Sequence, residues 1–181
     1  MLGNDIVDLK KSALESNWER KGFLDKIFTK EEQQEIWSAP NPEIMVWLFW
    51  SMKEAVYKII NREILQRFYS PSKFNCKLIE NEDTVTFEDK IFYTESEVTE
   101  NLIHTIAATN SENLADITTS YLINTKDYLS DFNSKAAHYT LEKDANGIPN
   151  LVHKTNRKRH AASVSHHGDY LAIVYSKKIL S

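Results

Sequence analysis

The stretch Ile44 to Lys58 reads IMVWLFWSMKEAVYK, and it sets the architecture. Asn41-Pro42 just upstream supplies a capping side chain and a proline at the first helical position. The spacing predicts a helix from there to about Asn61. On a 100° wheel Met45, Leu48, Met52, Ala55, Val56 and Ile59 fall in one apolar stripe. Trp47, Ser51, Glu54 and Lys58 fall opposite. Glu54 therefore follows an uncharged run and sits beside greasy surface, where a carboxylate needs a partner. A structural partner or a metal ion would both serve.

Outward from this helix, the chain reads as α+β: an antiparallel sheet against one long helix. GNDIVDL at residues 3–9 is a short strand or extended segment, and helical pattern begins near Ser12. Thr29-Lys30-Glu31-Glu32 is a capping box for a helix ending near Ser38. Residues 74–79, 84–87, 102–108 and 117–123 are rich in β-branched and aromatic residues and read as strands. Residues 126–143 read as helix. Asn146-Gly147 with Pro149 marks a turn, and residues 162–166 and 170–175 form a hairpin through His167-Gly168-Asp169.

Composition narrows the classes. The 181 residues suffice for one large core. The longest apolar run is seven residues, against the roughly 20 that span a bilayer. No basic N-terminal region of a signal peptide is present, and one cysteine, Cys76, suits a reducing cytoplasm. Residues 80–100 carry eight acids and one lysine, whereas residues 151–181 carry six Lys/Arg and one acid. The basic end suggests an anionic, phosphate-bearing partner. Nucleic acid is not expected, because HKTNRKRH at 153–160 has no aromatic platform and the whole chain is acidic. Nor is zinc at His153, His160, His166 and His167, which have no cysteine near them.

Singly, each candidate site has an ordinary structural explanation. Asp5 and Asp8 could be strand-end acids, Glu54 and Lys58 a helical i,i+4 pair, Ser165-His166 a satisfied strand end. In order, GNDIVDL, WSMKEAVYK and NGIPNL followed by SVSHHGDYLAIV resemble the 4′-phosphopantetheinyl transferase superfamily. The order is similar to the short holo-[acyl-carrier-protein] synthase type. The resemblance implies transfer of phosphopantetheine from coenzyme A, with Mg²⁺, to a serine of an acidic apo carrier protein of fatty-acid, polyketide or peptide synthesis.

Such a transfer brings an oxygen nucleophile to a pyrophosphate, whose charge a cation with carboxylate ligands neutralises. By resemblance Asp5 and Glu54 hold the metal, and Lys58 stabilises phosphate charge. The base is Glu54 or a metal-bound water held by Asp5. His166, with Ser165 beside it, and Lys53 are expected to contact coenzyme A, and His167 to be a turn residue. Where the family has Gly-Lys-Pro this chain has Gly147-Ile148-Pro149. Arg157 and Arg159 are expected to replace that lysine at the coenzyme A 3′-phosphate, or to meet the carrier. A homo-oligomer sharing its site between subunits is a further expectation, as in short-type relatives. The chain is expected to be a single domain over residues 1–181, with an enlarged middle lobe at about 62–143. A non-catalytic binder of coenzyme A or carrier protein is the alternative reading.

Overall fold

The computed structural model describes residues 1–65, 68, 70–80 and 82–179. It opens with β1 (Leu2–Asp8) and three short helices, α1 (Leu9–Glu15), α2 (Phe23–Ile27) and α3 (Lys30–Ser38). The long helix α4 (Pro42–Ile64) comes next, then β2 (Phe74–Lys77), β3 (Asp83–Phe87), β4 (Lys90–Val98) and β5 (Leu102–Ala108). One turn of helix, α5 (Glu112–Ala115), leads to β6 (Ile117–Ile123), α6 (Tyr128–Lys135) and β7 (Tyr139–Lys143). The chain finishes with β8 (Pro149–His153), β9 (Arg159–His167) and β10 (Tyr170–Ser176).

The fold is α+β, with two antiparallel five-stranded sheets ordered β1-β5-β4-β3-β2 and β6-β10-β9-β8-β7. Residues 62–143 do not stand apart as a lobe. The strands β2 to β5 extend the sheet that β1 begins, and β6 pairs with β10 in the other. Several elements escaped the sequence reading, among them β4, α5, β7 and β8. The strand β4 hides its alternation of buried Phe92 and Thr94 under an acidic outer face. The helix expected over 126–143 stops at Lys135, where Asn133 Oδ1 accepts the Leu141 amide at 2.6 Å and turns the chain into β7.

Helix α4 begins as its caps require, with Asn41 Oδ1 accepting the Ile44 amide at 3.2 Å. It runs three residues beyond Asn61 and closes at Leu65 in the left-handed region, φ 54°. The buried surface is broader than the predicted stripe. Trp47 and Ser51, placed on the polar side, are buried, while Met45 and Leu48 are only half-buried. The reason is β1, which covers that side: Ser51 donates to the Asp5 carbonyl at 3.3 Å. Contact is closest at Gly3, where a Cβ would lie 2.1 Å from the Ala55 carbonyl oxygen. Only glycine permits that approach.

All seven residues of β1 are buried, so the strand shows no hydrophobic alternation. One edge pairs with β5. On the other, the amides of Asn4, Ile6 and Asp8 donate to Ser163 Oγ, Ser165 Oγ and His167 Nδ1 at 3.2, 2.9 and 2.9 Å. Three alternate side chains of β9 thus do the work of a partner strand and satisfy buried donors. That joint locks the first strand of the chain to the ninth.

Candidate active site

The candidate site lies where β1, α4 and β9 meet. From β1 comes Asp5, whose Oδ1 accepts the Ser165 hydroxyl at 2.9 Å and lies 3.3 Å from Lys58 Nζ. Lys58 also donates to the Asn4 carbonyl at 2.7 Å, so its ammonium is fixed against β1. One helical turn earlier stands Glu54, with no hydrogen-bond partner among the described residues. Burial raises its carboxyl to about 7, the Asp5 charge adding to the rise and Lys58 opposing it. Two carboxylates and an ammonium thus share one half-buried corner. His166, exposed at the mouth, completes the group.

Sequence reasoning placed Asp5, Glu54, Lys58 and His166 together, and they do converge. Four other expectations need correction. Lys53 faces the interior, 2% exposed, and pairs with Glu32 at 2.7 Å. It also donates to the carbonyls of Ile27, Pro71 and Phe74, so none of its donors reaches a phosphate. Adjacent positions on a helix point about 100° apart, which is how one motif supplies both an interior cation and a site carboxylate. Ser165 is buried and spends its hydroxyl on Asp5 and the Ile6 amide, so it orients the carboxylate and does not face a ligand. His167 is no turn residue but the last acceptor of the β9 ladder, the turn being Gly168-Asp169. Arg157 and Arg159 lie away from the Asp5–Glu54 corner, although the Arg159 charge acts on Asp144 beside the Gly147 turn. Arg157 is exposed and forks onto Glu142 at 3.1 Å, and Arg159 is seven residues along β9 from His166, roughly 23 Å at about 3.3 Å per residue.

Residues that the sequence reading missed support this corner from behind. The capping-box residue Glu32 accepts both the Thr29 amide and Lys53, which ties α3 to α4. Asn4 hydrogen-bonds His104 at 3.2 Å, and His104 meets the Tyr121 hydroxyl at 2.9 Å. Burial, reinforced by Lys58, depresses His104 to about 4, so it is neutral. The polar period of two in Ser163-x-Ser165-x-His167 was the one visible signal of the ladder.

Three recesses open from the corner. One of about 280 Å³ is largely apolar and runs past Glu54 between Trp50, Tyr57, Phe68 and Phe74. A second, about 270 Å³, lies over Asp5 between Trp50, Glu15, His166 and His167. The third, about 210 Å³, leads from Lys58 and His166 to the Gly147-Ile148-Pro149 turn.

A family model described as the 4′-phosphopantetheinyl transferase superfamily matches residues 1–111. The chain belongs to that superfamily. No curated protein matches it. Membership carries the general role, phosphopantetheinyl transfer with coenzyme A as donor substrate and carrier proteins as acceptors. The matched span includes Asp5, Glu54 and Lys58 and stops before β9, which the structure brings to the same corner. The family generally works with Mg²⁺, and the donors present fit a hard cation. Asp5 and Glu54 offer only oxygen, and their proximity raises Glu54 in a way that a cation between them would reverse. Among the described residues no three His, Cys, Asp or Glu gather as a metal cage. A cation held by two carboxylates and by substrate phosphates needs none. No described helix is long and apolar enough to cross a membrane.

Proposed function

We propose that this phosphopantetheinyl transferase is of the holo-[acyl-carrier-protein] synthase kind, moving phosphopantetheine from coenzyme A to a serine of an acidic apo carrier protein with Mg²⁺. The observation that carries the reading is the pairing of Asp5 and Glu54 beside Lys58. Asp5 and Glu54 would hold the cation, which supplies charge neutralisation at the pyrophosphate. The serine oxygen bonds to the pantetheine-bearing phosphorus, and the bond from that phosphorus to the bridging oxygen breaks. Adenosine 3′,5′-bisphosphate leaves.

The protein's own groups carry the rest. Lys58, pinned by Asn4 and Asp5, retains donor capacity for the leaving phosphate. His166 reaches a phosphate from the mouth. Glu54 has two oxygens without partners among the described residues, so one can face the cation while the other takes the serine proton. Ser165 holds Asp5 in place. All of these come from one chain, so the reading requires no second subunit. Cys76 is buried, and its thiol is pushed well up by burial and by Glu32, so it takes no part in the chemistry.

The test is a mass spectrum of an acidic apo carrier protein after incubation with the enzyme, coenzyme A and Mg²⁺, repeated with Glu54→Ala. A phosphopantetheine-sized gain that needs Mg²⁺ and disappears in the variant supports the reading. Coenzyme A binding without gain on any of several carriers would instead select a binding module.

A further inference from the structure

A recess of about 590 Å³, larger than any of the three at the transfer corner, opens on the second sheet beside α6. Its volume falls within the roughly 300–1,000 Å³ of small-molecule sites. It exists because α6 stops early. The helix ends at Lys135, and the chain continues through Ala136 and Ala137, whose methyl groups leave open what larger side chains would fill. Leu122 of β6, Tyr175 of β10 and Leu151 of β8 form the floor, and Phe132 of α6 forms a wall. From β6 to β8 is three strand spacings, roughly 14 Å at about 4.8 Å each.

The interior of the recess holds no charge. The hydroxyls of Ser120 and Tyr175 meet each other at 3.3 Å, and the Tyr139 hydroxyl donates to the Ile179 carbonyl, so these polar groups are already partnered. Charge is confined to the rim, and it is of one sign. Lys135 is exposed without an ion-pair partner among the described residues, and His138 stands three positions further on. Lys154 donates to the Ala136 carbonyl at 2.7 Å, which answers the negative end of α6 and leaves the Lys135 ammonium open to a ligand. Among the described residues no acid lines the recess.

We propose that this recess binds a medium-chain fatty acid, its alkyl tail lying across Leu122, Tyr175 and Leu151 and its carboxylate meeting Lys135 and His138 at the rim. An uncharged floor three strand spacings wide suits an unbranched apolar tail, which gains by leaving water. A basic rim without acids favours an anionic head over a neutral one. The recess shares no lining residue with those at the transfer corner, so the assignment goes beyond the transferase reading and stands apart from it.

The experiment is calorimetric titration of the full chain with decanoate, 1-decanol and acetate, for wild type, Ala137→Trp and Lys135→Glu. Wild type should bind decanoate saturably with a dissociation constant below about 1 mM, and acetate should give no measurable binding. Decanol should bind at least about fivefold more weakly than decanoate, the margin of one exposed charge pair. Ala137→Trp fills the recess from its exposed edge and should weaken both ten-carbon ligands at least about tenfold. Lys135→Glu should weaken decanoate at least about fivefold and leave decanol within about twofold. Absence of saturable decanoate binding to wild type overturns the proposal, and so does equal affinity for the acid and the alcohol. Undiminished decanoate affinity in either folded variant also overturns it, since the acid then sits elsewhere, as in the apolar recess beside Glu54. If Ala137→Trp does not fold, Lys135→Glu decides by the same criterion.

Discussion

Ser165 donates its hydroxyl to Asp5 Oδ1 at 2.9 Å and accepts the Ile6 amide at 2.9 Å, so one side chain of β9 fixes both a site carboxylate and the strand that bears it. Ser165→Ala leaves a buried amide without an acceptor, and stability should fall by about 1–3 kcal/mol in denaturant titration. Asp5 would then lose its orientation. We expect kcat to drop by roughly tenfold to a hundredfold, the scale of a misplaced group, with KM for coenzyme A little changed. A large rise in KM and an unchanged kcat would instead mean that Ser165 touches the ligand.

Glu54 gives a pH signature. Its folded carboxyl lies near 7, raised by burial and then by Asp5, against 4.5 for a free group. A raised value means that the folded state holds the proton more tightly. The stabilisation is therefore present below about 4.5 and is lost as pH rises through 7. Without Mg²⁺, Glu54→Gln should be more stable than wild type at pH 8 by about 1–3 kcal/mol and no more stable at pH 4.5. Equal differences at the two pH values would show that Asp5 and burial do not act on this carboxyl. At subsaturating Mg²⁺, turnover should increase with pH through the neutral range, because the proton competes with the cation for Glu54, and saturating Mg²⁺ should shift that inflection downward.

The sequence made local chemistry legible and long-range compensation illegible. The Thr29 capping box, the Asn41-Pro42 start and the β5 and β6 strands depend on neighbours in the chain, and they are found where expected. Asp5, Glu54, Lys58 and His166 were singled out because their motifs, in order, resemble the family's, and singly each had an ordinary structural explanation. Lys53 was misplaced because nothing in its neighbourhood shows that Glu32, distant in sequence, is its partner. The same holds for the burial of Trp47 and Ser51, which depends on β1 crossing the helix. Nor does the sequence show that Arg62 hydrogen-bonds a turn almost ninety positions later.

Lys53 and Glu32 form a buried pair at 2.7 Å, 2% and 0% exposed. Removing one partner strands the other charge in the core. Lys53→Met should cost about 3–5 kcal/mol by denaturant unfolding. In the fraction that remains folded, KM for coenzyme A should stay near its wild-type value, since no Lys53 donor faces the site. A stable variant with a much higher KM would return Lys53 to the phosphate-binding residues.

His104 provides the acid-side counterpart. Buried between Asn4 and the Tyr121 hydroxyl, it is depressed to about 4 from 6.5. A depressed value contributes stability above 6.5 that is lost as pH falls through 4. Replacing it with glutamine removes that proton uptake. Wild type should lose stability more steeply than His104→Gln between pH 6.5 and 4, and parallel pH profiles would exclude His104 as the source.

Gly3 is the position at which the whole corner is set. A methyl group there would meet the Ala55 carbonyl oxygen at 2.1 Å and Ile59 Cγ1 at 3.1 Å, so β1 or α4 must shift. Backbone on backbone leaves no flexible side chain to yield. Gly3→Ala should therefore destabilise by about 1–3 kcal/mol or more, the range for overpacking. The displacement acts two residues from Asp5 and one from Asn4, whose carbonyl holds Lys58. Transfer activity should consequently fall in the folded fraction as well, by roughly a hundredfold for a shift near 1 Å. Gly3→Ala with wild-type melting and turnover would show that β1 does not need its close contact with α4 to bring Asp5 to Glu54.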